Sequence, residues 1–224
     1  MSKHSQKSDR KGSLKCIQQL VNLHPELFNK KISEELKQTL NIKWVSPLSN
    51  DRYSEYRDKD FLKRIELDPS ILKLKLDDFW PLRGPQWDAL GVENGKKFIV
   101  EAKANLREMF TPPTSATYKS LKLIKKSLND TKEYLSCNSI SNWSSVFYQY
   151  TNRLAHLYYL NVKNKVNTFL VFVYFTGDKT VNGPISKDEW IGAITLMKQY
   201  LGINKKHKLS KSIVEIFVDK SEIS

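Results

Sequence analysis

The stretch Gly84-Pro85-Gln86-Trp87-Asp88-Ala89-Leu90-Gly91-Val92-Glu93-Asn94-Gly95-Lys96-Lys97-Phe98-Ile99-Val100-Glu101-Ala102-Lys103 decides how this chain folds. Asn94-Gly95 stands between two apolar-rich runs. A two-residue hairpin turn demands positive φ at both central positions, which Asn and Gly adopt at little cost. If that turn forms, Glu93 pairs with Lys96 and the ladder steps back symmetrically. Leu90 then lies opposite Ile99, and Asp88 opposite Glu101. Side chains alternate along a strand, so Asp88, Glu101 and Lys103 share one face. Phe98, Ile99 and Val100 mark the sheet as buried.

Two carboxylates opposed across a strand pair repel, with Cβ atoms about 4.5–5.5 Å apart. A divalent cation between them relieves the clash, and hard oxygen ligands of this kind suit Mg²⁺ or Mn²⁺ rather than zinc. The Lys103 ammonium beside such a metal can orient or deprotonate a water and stabilise charge developing on a phosphate. Together these groups are suited to phosphodiester hydrolysis. The competing account is a solvated sheet face on which Lys103 merely neutralises two acids. A bulge near the turn would also shift the register by one.

With Asp88 and the Glu101-Ala102-Lys103 triplet at the end of the second strand, the chain resembles the PD-(D/E)XK nuclease superfamily, whose fold is restriction-endonuclease-like. Trp87 stands where the family signature has Pro, and Pro85 lies three positions before Asp88. The resemblance implies Mg²⁺ held by Asp88, Glu101 and the Ala102 carbonyl, with Mn²⁺ able to substitute, and Lys103 acting on the attacking water. In that family an acidic residue on the first core helix often joins the metal shell. Here a helix expected over 51–66 would place Glu55 on its apolar stripe, with Asp58 one turn on as the fallback; the helix dipole at the first turn explains Glu55 equally well.

The balance of charge agrees. There are 37 basic residues against 24 acidic, a net charge of +13, which favours polyanions such as nucleic acid. DNA is expected ahead of RNA. No window reaches the roughly 18 apolar residues of a transmembrane helix, and the N-terminus has no apolar signal core, so no membrane partner is expected. Cys16 and Cys137 stand apart, without a second Cys or His at metal spacing, and read as reduced thiols of a cytoplasmic protein.

The remaining order is read from periodicity. Residues 1–13 are polar and basic and are expected to form a flexible tail ahead of one domain over 14–224. A short helix over 14–23 stops near Pro25, a second begins at Ser33, and Trp44 to Asn50 is a loop. A strand lies somewhere in 71–79, before the hairpin. Helices follow over 116–135 and 142–163, then a buried strand over 166–175, a helix over 187–200 and a last strand over 213–218. The expected architecture is α/β, a mixed central β-sheet flanked by helices.

On the later helix, Trp143, Phe147, Tyr150, Leu154, Leu157 and Tyr158 form a broad apolar face at 100° per residue. What remains is a narrow stripe of Gln149, Asn152, Arg153 and His156, which suits a solvated cleft between aromatic walls. Arg153 could hold a phosphate bidentately, and Gln149 or Asn152 could place substrate or a metal-bound water. The alternative is an ordinary solvated face with His156 on the surface. Some exonuclease branches of the resembled family carry Gln-x-x-x-Tyr here, but Gln149 is followed four on by Arg153. In the rigid loop before the first hairpin strand, Arg83 would project at the site mouth, and Gln86, opposite Lys103, would fix its ammonium. Lys119, Lys122, Lys125 and Lys126 recur at helical spacing, and Lys205, Lys206, Lys208 and Lys211 cluster late, as backbone-phosphate contacts.

The expected function is a Mg²⁺-dependent nuclease. The alternatives are a non-catalytic nucleic-acid-binding or accessory subunit of the same fold, and a basic protein–protein adaptor. Cutting both strands of a duplex would favour a homodimer.

Overall fold

The computed structural model describes residues 3–5 and 11–224. In chain order its elements are β1 (Lys3–His4), α1 (Ser13–Leu23), α2 (Pro25–Leu36), β2 (Lys43–Ser46), β3 (Glu55–Tyr56), α3 (Asp58–Arg64) and α4 (Leu76–Phe79). The hairpin β4 (Ala89–Glu93) and β5 (Lys96–Lys103) follows. Then come α5 (Tyr118–Tyr134), α6 (Tyr148–Tyr158), β6 (Thr168–Thr176), α7 (Lys187–Leu201) and β7 (Ile213–Asp219).

The main sheet has five strands in the order β2-β4-β5-β6-β7. β2, β4 and β5 run antiparallel, whereas β5, β6 and β7 run parallel, so the fold is α/β with a mixed sheet flanked by helices. Asn94 and Gly95 take φ of 44° and 79°, as the turn requires. The register follows from it: Glu93 pairs with Lys96, Leu90 with Ile99 and Ala89 with Val100.

β5 and β6 are apolar on both faces because both faces are covered. Phe98, Val100, Val171 and Val173 pack against Leu20, Phe28 and Ile32 of α1 and α2. Ile99, Leu170 and Phe172 pack on the other side against Leu128 of α5, Leu154 of α6 and Ile194 of α7. Gly91 makes the first packing possible, since a Cβ there would lie 2.6 Å from Ile42 Cγ2.

Five expectations are corrected. Trp44 to Ser46 is not loop but the edge strand β2, with an irregularity between Trp44 and Ser46. α1 does stop at Leu23, just before Pro25, but the second helix, expected from Ser33, begins already at Pro25, at a position where the missing N–H costs nothing. The helix over 51–66 shrinks to α3, because Arg52 and Tyr53 turn at positive φ and Glu55–Tyr56 pairs with Lys3–His4. That pairing also holds part of the tail expected to be flexible, and Lys3 forms an ion pair with Asp51. Residues 1, 2 and 6–10 of the tail lie outside the described residues. The region 71–79 holds the short helix α4 rather than a strand, and α6 closes in a π-turn over Tyr159–Lys163. Among the described residues no helix is long and apolar enough to cross a membrane.

Candidate active site

The ladder between β4 and β5 ends at Ala89 and Val100, one step before the acids. Asp88 bends out of it. Its N–H donates to the Val100 carbonyl (3.2 Å), and its Oδ2 accepts the Ala102 N–H (2.7 Å). The directly facing pair is therefore corrected: Asp88 has slipped by one residue, and its carboxylate caps the edge of β5 where β4 has stopped. Asp88 stays half-buried, and Glu101 is 2 % exposed.

Glu101 is held by two cations. Arg153 Nε and Nη2 approach Oε2 at 2.7 and 2.5 Å, while Lys103 Nζ bonds Oε1. Lys103 Nζ also donates to Gln149 Oε1 at 2.8 Å. Arg153 also donates to Asn152 Oδ1 (3.0 Å) and the Gln86 carbonyl (2.7 Å), and its guanidinium lies over the Trp87 ring at 4.7 Å.

This distribution splits the two acids. Burial, then the charges of Glu101 and Glu55, push Asp88 well above the usual carboxylate range. Burial acts the same way on Glu101, but Arg153 and Lys103 outweigh it and hold Glu101 below that range. Asp88 is the acid left short of positive charge.

The other expected residues divide. Glu55 lies on β3 rather than a helix, yet it is 5 % exposed and lines the same cleft as Asp88. Asp58, the fallback, accepts the Gly84 and Arg83 N–H groups (2.9 and 3.2 Å) and fixes the loop instead of serving the site. Arg83 is exposed at the cleft mouth, as expected. Gln86 does not reach Lys103; its carbonyl binds Arg153, and Gln149 fixes the ammonium in its place.

The polar stripe of α6 divides: Gln149, Asn152 and Arg153 line the cleft, with Asn152 and Arg153 largely buried against Glu101 and the loop before β4, whereas His156 lies outside it. Asn152 lines the cleft, but its Oδ1 holds Arg153. Arg153, 2 % exposed, clamps Glu101 and is not placed to fork a phosphate. His156 is also corrected. It is 1 % exposed, donates Nδ1–H to the Asn152 carbonyl (2.8 Å) and sits among Phe61, Phe79, Trp80 and Trp87. Burial, reinforced by the charge of Arg153, lowers its pKa to about 3, so it is neutral, and it does not line the cleft.

Trp87 and Glu108 escaped the sequence reading. Trp87 is the platform under Arg153. Glu108 accepts the Ala104 N–H (3.2 Å) and returns its own N–H to Asn105, holding the turn just past Lys103. Asn105 and Glu108 have capping-box spacing, a signal that was there to find.

A cleft of ≈ 760 Å³ opens over Asp88 and Glu55, walled by the loop 81–86 and the segment 111–117. Its donors fit a hard divalent cation: the Asp88 carboxylate beside Glu55, and the Ala102 carbonyl. Lys97 donates to the Asn167 carbonyl and Val100 accepts from Asp88, so odd residues of β5 turn their backbone toward β6 and even ones toward β4. The Ala102 carbonyl therefore points past the end of β4, into the gap beside Asp88. Among the described residues no three His, Cys, Asp or Glu converge on one point, so water must complete such a shell. Mg²⁺ keeps several waters by habit. No family model, curated protein or solved structure matches this chain.

Proposed function

We propose that this chain is a Mg²⁺-dependent nuclease that hydrolyses phosphodiester bonds of nucleic acid, DNA ahead of RNA. One observation carries the reading. Asp88, the charge-starved acid, lies beside Glu101 and Lys103 at one end of the hairpin, beneath a cleft in a chain of net charge +13. The resemblance to the PD-(D/E)XK superfamily, carried by Asp88, Glu101 and Lys103, supports it.

In this reading Asp88 and Glu55, with the Ala102 carbonyl, face the cation, and Glu101 orients Lys103. When bound, Mg²⁺ polarises the phosphate oxygens and acidifies a coordinated water. Gln149 aims the Lys103 ammonium, which orients the attacking water and steadies the charge on phosphorus. Water adds to phosphorus, one phosphorus–oxygen ester bond breaks, and a phosphomonoester and a hydroxyl leave. Arg83 at the mouth and the lysines of α5 attract the phosphate backbone.

The test incubates plasmid, linear duplex, single-stranded DNA and RNA with Mg²⁺, Mn²⁺ or EDTA, with Lys103→Ala alongside. Metal-dependent cleavage lost in Lys103→Ala is expected. A second reading, a non-catalytic nucleic-acid-binding subunit of the same fold, is favoured by one feature: both oxygens of Glu101 are already taken by cations. It predicts binding to nucleic acid without cleavage under any metal.

A further inference from the structure

We infer that this site takes one divalent cation per chain, and that the Arg153 guanidinium occupies the electrostatic role a second metal would fill. The inference rests on the metal reading above and concerns how the protein limits that metal.

Two-metal phosphodiesterase sites hold their ions about 3.5–4 Å apart. At that spacing a carboxylate normally offers one oxygen to each ion. Neither central acid has two oxygens to offer. Asp88 Oδ2 is bound to the Ala102 N–H at 2.7 Å, and that N–H belongs to the backbone of a central strand. Glu101 Oε2 accepts the Arg153 Nε–H and lies 2.5 Å from Nη2. Asp88 keeps Oδ1, and Glu101 keeps Oε1, which it shares with Lys103.

Arg153 is built to stay. It is 2 % exposed, stacked over Trp87, and tied to Glu101, Asn152 and the Gln86 carbonyl. A guanidinium keeps its proton under all ordinary conditions, so its charge cannot be titrated away. Arg153 is thus a positioning residue: it locks one oxygen of Glu101 and leaves the other toward Lys103.

The experiment counts Mn²⁺ bound to the full chain without nucleic acid, by loss of the free-ion electron paramagnetic resonance signal. Wild type should bind one ion, and Asp88→Asn none. Arg153→Gln, which removes the charge and frees Glu101, should bind two. Two ions in wild type, or still one in folded Arg153→Gln, overturns the inference. Should Arg153→Gln not fold, the wild-type count decides alone. Cleavage assayed in parallel separates the two ideas. One bound ion without cleavage keeps this inference and defeats the nuclease reading. Cleavage with two bound ions does the reverse, and no bound ion defeats the metal reading and this inference together.

Discussion

Replacing Arg153 with Met removes a charge-assisted hydrogen bond and the ion pair around it from a Glu101 that is 2 % exposed. A bond of this kind contributes roughly 1.5–3 kcal/mol. Stranding one member of a buried ion pair typically costs about 3–5 kcal/mol. Lys103 stays on Oε1 and the Met side chain still covers Trp87, so the lower end applies, about 3 kcal/mol. For a chain of this size roughly 2–4 °C of melting temperature follows each kcal/mol, which places the loss at about 6–12 °C. The partner variant is Glu101→Gln combined with Arg153→Met. With the charge gone from both sides the stranded ion disappears, and the double variant should recover at least ~2 kcal/mol relative to the sum of the singles. Urea unfolding in EDTA measures all four proteins without contribution from metal. A loss under ~1 kcal/mol for Arg153→Met, or strict additivity in the cycle, would refute the claim that Glu101 depends on Arg153.

Three further outcomes follow from the same geometry. Asp88 has a raised pKa in the folded chain, so the fold binds its proton more tightly than the unfolded chain does, and ionisation opposes folding as pH rises above the usual 3.8. Asp88→Asn should accordingly melt higher than wild type in EDTA at pH 7–8, with the gain shrinking as pH falls toward 4; a lower melting point at pH 8 contradicts it. His156 has the opposite linkage: its folded pKa of about 3 lies below the usual 6.5, so the unfolded chain takes the proton first and stability drops as pH falls below about 6.5. Its ring resonances should stay unshifted from pH 8 to 5, and a midpoint near 6.5 would disprove the burial argument. Gly183→Ala sets a Cβ 2.3 Å from the Ala104 carbonyl, one residue past Lys103, and should cost about 1–3 kcal/mol and lower any cleavage rate; an unchanged urea midpoint would show that the loop yields freely.

What the sequence discloses about this fold depends on how far apart the interacting residues lie. Asn94-Gly95 sets the hairpin register through a turn of two residues, and the apolar runs at Phe98 and Phe169 identify central strands from their own composition. β2 stayed hidden because Trp44 to Ser46 is too short to alternate visibly and gains its strand geometry only by pairing with β4. Glu55 looked helical since its neighbours space well, but Arg52 and Tyr53 reverse the chain and Lys3–His4 supplies the pairing partner, some fifty residues away. Arg153 was read as a phosphate holder in a cleft for a related reason. The helix pattern places it at the cleft, but the acid that engages it, Glu101, arrives from fifty-two residues earlier.

The Asn94-Gly95 turn works as a ruler. Each strand residue advances about 3.3 Å, so Asp88 lies roughly 20 Å from the turn that determines what it meets. One residue added to β5 between turn and site would move Glu101 and Lys103 to the opposite face of the sheet, away from α6 and Gln149, and one added to β4 would displace Asp88 in the same way, while leaving composition almost untouched. Insertions should be tolerated better in the segment 112–117, beyond the Thr111 hydroxyl that accepts the Gln149 N–H, and refused between Asp88 and Lys103. In a chain of 224 residues, the separation of these two positions is the spacing that drift in length has the least freedom to alter.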